Sequence, residues 1–80
     1  MPQARDDLSR LDKPIAQRIL HKLKWLSQNF DDLMHERLSG EFRGFYRLRV
    51  GSYRVIYTVE QEEHQFVIHL IGHRRDIYKR

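Results

Sequence analysis

The sequence contains few of the residues that cross-link or interrupt a chain: its 80 residues include no cysteine, two prolines and four glycines. The absence of cysteine excludes a disulfide framework and thiolate chemistry. No apolar run approaches the roughly 20 residues that cross a bilayer, which excludes a membrane-spanning helix. The first ten residues show no basic and then apolar signal segment. We therefore expect one soluble intracellular domain over residues 1–80.

Positive charge is concentrated in the second half of the chain, although the net charge is only +4. Residues 42–59 contain four arginines and no acidic residue, and residues 73–80 carry a further basic excess. The planar guanidinium group suits bidentate contact with phosphate, whereas a surface that only needs solubility would mix in lysine and acids. The pattern favours a phosphate-binding surface, and a solvated basic face is the alternative.

The first half of the chain has the periodicity of helices. Apolar residues recur at helical spacing in two stretches, 4–11 and 15–28. Asp12 can cap the second helix, with Pro14 in its first turn, where the missing N–H has no cost. The short link predicts an antiparallel helical hairpin.

The rest of the first half is assigned to the core and to a connector. Trp25 and Phe30 are interpreted as core or hairpin-packing residues. Residues 29–44 contain several turn-forming residues and are predicted to be a connector without a strand.

Three stretches in the second half read as strands: 45–50, 53–59 and 65–72. The first two are separated by Gly51-Ser52, a two-residue hairpin signal, and an acidic loop over 61–64 precedes the third. The predicted fold class is therefore α+β, with an N-terminal helical hairpin packed on a three-stranded antiparallel sheet.

The hairpin turn fixes a register in which Arg49 faces Arg54. If Glu60 pairs with Gln65, Val55 faces Leu70. One face is then almost entirely apolar and should pack on the helices; it carries Tyr46, Leu48, Val50, Tyr53, Val55, Tyr57, Val59, Phe66, Ile68 and Leu70. The other face carries Arg47, Arg49, Arg54, Ile56, Thr58, Val67, His69, Ile71 and, beyond the strand, His73.

The arginines of this second face are the candidate binding site. Arg49 opposite Arg54 is a like-charge pair, which destabilises a sheet unless an anion sits there. We interpret the cluster, with Arg47, as a phosphate site.

Two side chains near the C-terminus can transfer protons. His73 lies among basic residues, and Tyr78 is the one phenol in the basic tail. His69 and His73 would lie about 13 Å apart on a regular strand, too far to share a metal ion, and His69 is interpreted as a surface residue. No metal site is predicted.

The segments LSGEFRGFYRLRVGSYRVIY and HLIGHRRDIYKR, with the order helix–helix–hairpin–strand, resemble the RelE branch of the RelE/ParE toxin superfamily. These are the toxins of type II toxin–antitoxin systems. The resemblance implies a small α+β fold and a cytoplasmic endoribonuclease, an mRNA interferase that cleaves mRNA on the ribosome without metal or cofactor and so inhibits translation. It also implies a cognate antitoxin, through which the complex would bind operator DNA.

The resemblance implies roles for Arg47, Arg49, Arg54, Arg74 and Tyr78, which match positions of the family pattern. With them, Arg54, Arg74, Tyr78 and His73 are the expected catalytic residues, and Tyr78, favoured by family position, and His73, favoured by the ordinary pKa of an imidazole, are alternative proton-transfer groups. Arg47, Arg49 and Arg75 are the expected RNA or phosphate ligands. Family members usually begin with a strand, whereas this chain starts at the helix, which would leave an open sheet edge. A ParE-like inhibitor of DNA gyrase and a non-catalytic relic that binds only its antitoxin are the alternatives.

Overall fold

The protein folds as two helices and a four-stranded antiparallel sheet in a computed structural model that describes residues 2–33, 35–60 and 65–79. The predicted acidic loop over 61–64 lies outside these residues. None of the described helices is long and apolar enough to span a membrane. The elements in chain order are α1 (Pro2–Ser9), α2 (Lys13–Gln28), β1 (Glu36–Arg37), β2 (Tyr46–Val50), β3 (Tyr53–Glu60) and β4 (Gln65–His73). Short 3-10 turns lie at Phe30–Asp32, Gly40–Phe42 and Ile77–Lys79.

The α+β class is confirmed, but the predicted number of strands and the structureless connector are wrong. The sheet has the order β1-β2-β3-β4, and its first strand lies inside the region assigned to the connector. Glu36 pairs with Arg47 and Arg37 with Tyr46. Strand β1 has two residues, so its side chains cannot show the alternation that identifies a strand in sequence.

The helices pack on the apolar face of the sheet as predicted, α1 against β4 and α2 against β2. The buried core consists of Ile19, Val50, Val55 and Ile71. Asp12 occupies the N-cap of α2 and a proline lies in the first turn, but the Asp12 side chain makes no capping hydrogen bond. Trp25 does not lie in the core, because 38% of this residue is exposed on the flank of α2.

The predicted register of the β2–β3 hairpin is confirmed, including Arg49 opposite Arg54. Gly51 in its turn has φ +59, the left-handed region that favours glycine. The β3–β4 register is correct from Glu60–Gln65 to Tyr57–Ile68 and then shifts at an irregularity beside Ile56 and Tyr57. Beyond the shift, Val55 pairs with Ile71 and Ile56 with Leu70.

The shift changes the face of every later residue in β4. Ile71, predicted for the arginine face, enters the core, and Leu70 takes the opposite face. The Ile71 N–H donates to Oδ2 of the buried Asp7 at 2.9 Å. A carboxylate on α1 thus satisfies an amide that the irregular strand directs away from β3, and it ties the first helix to the sheet.

An aromatic cluster covers the other end of the helix-facing side and holds β1 in place. Tyr57 is fully buried there, and the partly buried Phe30 stacks on Phe66. His35 Nε2–H donates to the Phe30 carbonyl at 2.9 Å, so its Nδ1 accepts from the Tyr57 hydroxyl at 2.6 Å. Burial raises the pKa of Tyr57 to about 12, so the phenol stays protonated as the donor in this bond. Because Glu36 follows His35 directly, the cluster fixes where the Glu36 carboxylate can reach.

Candidate functional site

Glu36 joins two arginines on the outer face of the sheet, the face turned away from the helices. Its register partner is Arg47, so both side chains project to the same side. Arg47 Nη2 donates to Glu36 Oε1, and Arg49 donates through Nη2 to Oε1 at 2.9 Å and through Nε to Oε2 at 3.3 Å. One carboxylate therefore holds two guanidinium groups together. We call Glu36, Arg47 and Arg49, together with Tyr78, the arginine cluster.

The predicted like-charge pair exists, and part of its positive charge is compensated within the protein. Arg49 forms an ion pair with Glu36, a partner that it shares with Arg47. Arg54 turns to the hairpin, where Nη1 donates to the carbonyls of Gly51 and Tyr53, both at 2.8 Å. Cross-strand repulsion by itself therefore does not demand a bound phosphate, because Glu36 lies beside Arg49, and the phosphate site stays a prediction.

The charges of Glu36 and Arg47 are fixed over the physiological pH range. Hydrogen bonds from Arg47 and then from Arg49 lower the pKa of Glu36 from 4.5 to about 2. The same bond to Glu36, followed by one to Tyr78, raises the pKa of Arg47 further above its ordinary value. Glu36 is thus a weak proton acceptor near pH 7, and it acts on its partners as a permanent negative charge.

Tyr78 joins the cluster from the C-terminal segment. Its hydroxyl oxygen accepts a hydrogen bond from Arg47 Nη1 at 2.8 Å, and its ring packs edge-on against Phe42, with centroids 5.5 Å apart. The neighbouring Ile77 is completely buried, and a Cβ at Gly72 of β4 would lie 3.1 Å from its Cδ1. Ile77 therefore anchors the tail, which leaves the Tyr78 side chain 38% exposed beside Arg47.

The structure moves His73 away from the face predicted for it. Because of the register shift, His73 pairs with Tyr53 on the helix-facing side, and the two rings meet edge-on at 5.4 Å. Its Nδ1 accepts the Arg75 N–H at 3.2 Å. His73 and Tyr78 thus lie on opposite sides of the sheet, and of the two only Tyr78 contacts the arginine cluster.

The remaining predicted site residues lie around the hairpin turn. The backbone N–H of Arg74 donates to the Ser52 carbonyl at 2.8 Å, which fastens the start of the tail to the turn. The side chains of Arg74 and Arg75 are exposed. The structure thus brings Arg47, Arg49 and Tyr78 into one bonded cluster and holds Arg54 at the neighbouring turn.

His69 is more enclosed than its interpretation as a surface residue allowed. Its Nε2 lies 2.8 Å from the Thr58 hydroxyl, its ring packs edge-on against Phe45, and burial lowers its pKa. No group of metal-ligating side chains occurs in the described parts of the chain.

Glu36 is the site residue that sequence reasoning missed. The only indication of its role in the sequence is its position: the turn-forming Ser39-Gly40 lies between Glu36 and β2, as in a connection between two paired strands. A single carboxylate in an apparent loop has no periodicity to mark it. The sequence motifs contain every other member of the cluster.

Comparison with known proteins places the chain in a family. A family model described as the ParE toxin of the type II toxin-antitoxin system parDE matches residues 1–78. Toxin RelG of Mycobacterium tuberculosis (strain ATCC 25618 / H37Rv) is 35% identical over 81% of this chain and 88% of that protein. A chain in the crystal structure of the toxin-antitoxin complex RelBE2 from Mycobacterium tuberculosis superposes with a TM-score of 0.81 at 28% identity, covering 92% of this chain and 91% of that one. The chain therefore belongs to the RelE/ParE family of type II toxin–antitoxin toxins.

Proposed function

We propose that this toxin is a metal-independent endoribonuclease that cleaves mRNA on the ribosome. In the proposed reaction the ribose 2′-oxygen attacks the adjacent phosphorus, the bond from phosphorus to the 5′-oxygen breaks, and a 2′,3′-cyclic phosphate and a 5′-hydroxyl result. The observation that supports it best is the hydrogen bond between Arg47 and Tyr78 at the edge of the arginine cluster.

The cluster contains the two kinds of group that this reaction needs. Guanidinium groups stabilise the charge that builds on the phosphate oxygens, and they remain protonated, so they cannot act as bases. The Tyr78 oxygen accepts its bond from Arg47, which leaves the phenol proton free to point at a substrate. Glu36 has too low a pKa to compete for the proton of a ribose hydroxyl. Tyr78 is therefore the proposed proton-transfer group: its phenol proton would pass to the departing 5′-oxygen while its oxygen takes up the proton of the 2′-hydroxyl, so that the phenol is regenerated.

Arginines outside the bonded cluster complete the proposed site. Arg54, Arg74 and Arg75 surround the hairpin turn and would contact the phosphates on either side of the cleaved bond. A site with so few acid–base groups depends on precise placement of the RNA, which the ribosome would supply.

The experiment that tests the proposal is cleavage of mRNA on programmed ribosomes by purified protein. Tyr78→Phe keeps the ring and its packing on Phe42 and removes only the hydroxyl, so we expect cleavage to fall about 10²-fold, the usual effect of losing a positioned acid or base. His73→Gln is the matched control and should change cleavage little, because His73 faces Tyr53. Loss of cleavage in His73→Gln with normal cleavage in Tyr78→Phe would reverse the assignment.

A ParE-like inhibitor of DNA gyrase is the second candidate, because the matching family model is that of a ParE toxin. Such an inhibitor needs no proton-transfer group. A gyrase supercoiling assay beside the ribosome assay separates the two, and inactivity in both assays would favour the non-catalytic relic.

We also propose a cytoplasmic partnership with an antitoxin encoded beside the toxin, through which the pair would bind operator DNA. The support is the similarity to a chain of a toxin-antitoxin complex, together with an exposed basic surface that suits an acidic segment. Growth and solubility should improve when the neighbouring reading frame is co-expressed. Equal growth and solubility without it would refute the partnership.

A further inference from the structure

A groove connects helix α2 to the arginine cluster around the edge of β2. One part, of about 480 Å³, lies between α2 and the hairpin turn and is lined by Arg18, His21, Lys22, Trp25, Arg49, Val50 and Gly51. A second part, of about 260 Å³, shares Lys22, Trp25 and Arg49 with the first and reaches Glu36 and Arg47. Because the two parts have three residues in common, we treat them as one groove, the α2 groove.

The chemistry of the α2 groove is that of an aromatic ring among cations. Trp25 is 38% exposed, and Lys22 Nζ lies 3.8 Å from the centroid of its ring. Among the residues that the structure describes, no carboxylate lines the part beside the hairpin turn, where Arg18, Lys22 and Arg49 converge. An indole is large enough that folding normally buries it. An exposed aromatic ring next to lysine and arginine is typical of proteins that bind single-stranded nucleic acids. In such sites a base stacks on the ring and the phosphates contact the cations.

We propose that the α2 groove binds the stretch of single-stranded RNA next to the phosphate that is cleaved. A base stacks on Trp25, and Lys22 and Arg18 contact the phosphates that flank it. Arg49 lines the groove and belongs to the arginine cluster, so the strand continues from the groove to Arg47 and Tyr78. The inference rests on the proposed cleavage of RNA and adds a binding site on α2 for the uncleaved part of the strand.

The lining beside the hairpin turn favours RNA over an acidic peptide. A peptide helix or strand needs apolar pockets for its anchoring side chains. Among the described residues, Val50 is the only aliphatic one that lines this part, and it is already 91% buried by the core. The part that reaches Glu36 also contains Leu26, Leu33 and Leu48. Cations around one flat ring offer little to an apolar anchor, whereas they match the alternating phosphate and base of a single strand.

Trp25 is the only tryptophan of the chain, so its fluorescence reports on the groove directly. The probe is a 2′-O-methyl RNA hexanucleotide, which cannot be cleaved because the attacking hydroxyl is blocked. We expect saturable quenching of Trp25 that weakens as salt is raised, since cation–phosphate contacts release counterions. Lys22→Ala should weaken binding about tenfold. It should also reduce the slope of log K against log salt concentration by about one, the contribution of one phosphate contact. Lys24→Ala, at an exposed position of α2 that does not line the groove, is the matched control and should bind as the wild type does.

A second variant tests the stacking. Trp25→Ala should weaken binding of fluorescently labelled hexanucleotide, followed by anisotropy, by about tenfold or more. Circular dichroism of both variants confirms folding, which an exposed position should tolerate. No quenching, or equal weakening in Lys22→Ala and Lys24→Ala, would overturn the inference. Quenching by a polyglutamate peptide but not by RNA would also overturn it and would assign the groove to a protein.

The same measurements separate this inference from the proposed catalysis. Wild-type protein that binds the hexanucleotide through Lys22 and Trp25 but cleaves nothing on ribosomes would support the groove and refute the cleavage. Normal cleavage and normal RNA binding in both groove variants would refute the groove and leave the cleavage intact.

Discussion

Removing the negative charge of Glu36 tests whether this residue assembles the arginine cluster. Glu36→Gln keeps the size of the side chain and one acceptor oxygen but leaves Arg47 and Arg49 without a counter-charge. An exposed ion pair contributes about 0.2–1 kcal/mol. The Glu36 side chain is 37% exposed, so after allowance for screening by solvent we expect the two pairs together to contribute about 1 kcal/mol. In a domain of this size that corresponds to a melting temperature lower by about 4–8 °C.

The pH dependence of this difference identifies its origin. The folded-state pKa of Glu36 is depressed, from 4.5 to about 2, so its contribution is fully present above about pH 4.5 and is lost as the pH falls through 2. Melting curves of wild type and Glu36→Gln should therefore be separated at pH 7 and converge near pH 2. Glu41→Gln is the control, because Glu41 is exposed and forms no ion pair within the described residues. Equal melting temperatures at pH 7, or a separation that persists at pH 2, would refute this role of Glu36.

Three further substitutions test contacts outside the cluster by thermal unfolding. Asp7→Ala leaves the buried Ile71 N–H without its acceptor and should cost about 1–3 kcal/mol of unfolding free energy; an unchanged melting temperature would mean that the bond is dispensable. Ile77→Ala should cost about 2–5 kcal/mol through the cavity it leaves and should release the tail, so wild-type stability would show that another residue anchors it. Arg54→Ala should abolish toxicity yet shift the melting temperature by a few degrees at most. The substitution removes two hydrogen bonds to the hairpin turn but also removes the repulsion between Arg54 and Arg49, and the two effects oppose each other. A large drop in melting temperature would show that Arg54 has a structural role.

The parts of the fold that sequence predicted are those specified by local chemistry. Gly51-Ser52 allows one tight turn, and the turn fixes the register of β2 on β3, including Arg49 opposite Arg54. Helix α2 ends at Gln28, as its apolar stripe predicts. Each of these features is determined by residues that lie close in sequence to the motif that predicts it.

The parts that sequence did not predict depend on contacts between distant segments. The shift in β4 is accompanied by a bond from Ile71 to Asp7, 64 residues away, and no pattern within β4 marks it. That shift alone moves His73 from the arginine face to the helix-facing side. Strand β1 likewise forms because His35 reaches Phe30 and Tyr57. Residue type alone favours a core or hairpin-packing position for Trp25, although it lies at the flank of the apolar stripe.

Glu36 also bears on how an arginine-rich site can select its ligand. Arg47 and Arg49 are held by a carboxylate that stays charged throughout the physiological pH range, so the cluster is assembled before any ligand arrives. A phosphate that binds there must share these guanidinium groups with Glu36. This sharing reduces the binding free energy that a single phosphodiester can contribute. Binding then needs contacts beyond the cluster, and the α2 groove, which Arg49 also lines, is placed to supply them. By this reasoning Glu36→Gln should strengthen binding of the hexanucleotide and make it less dependent on Lys22. Unchanged affinity and unchanged sensitivity to Lys22→Ala would show that the carboxylate has no part in selection.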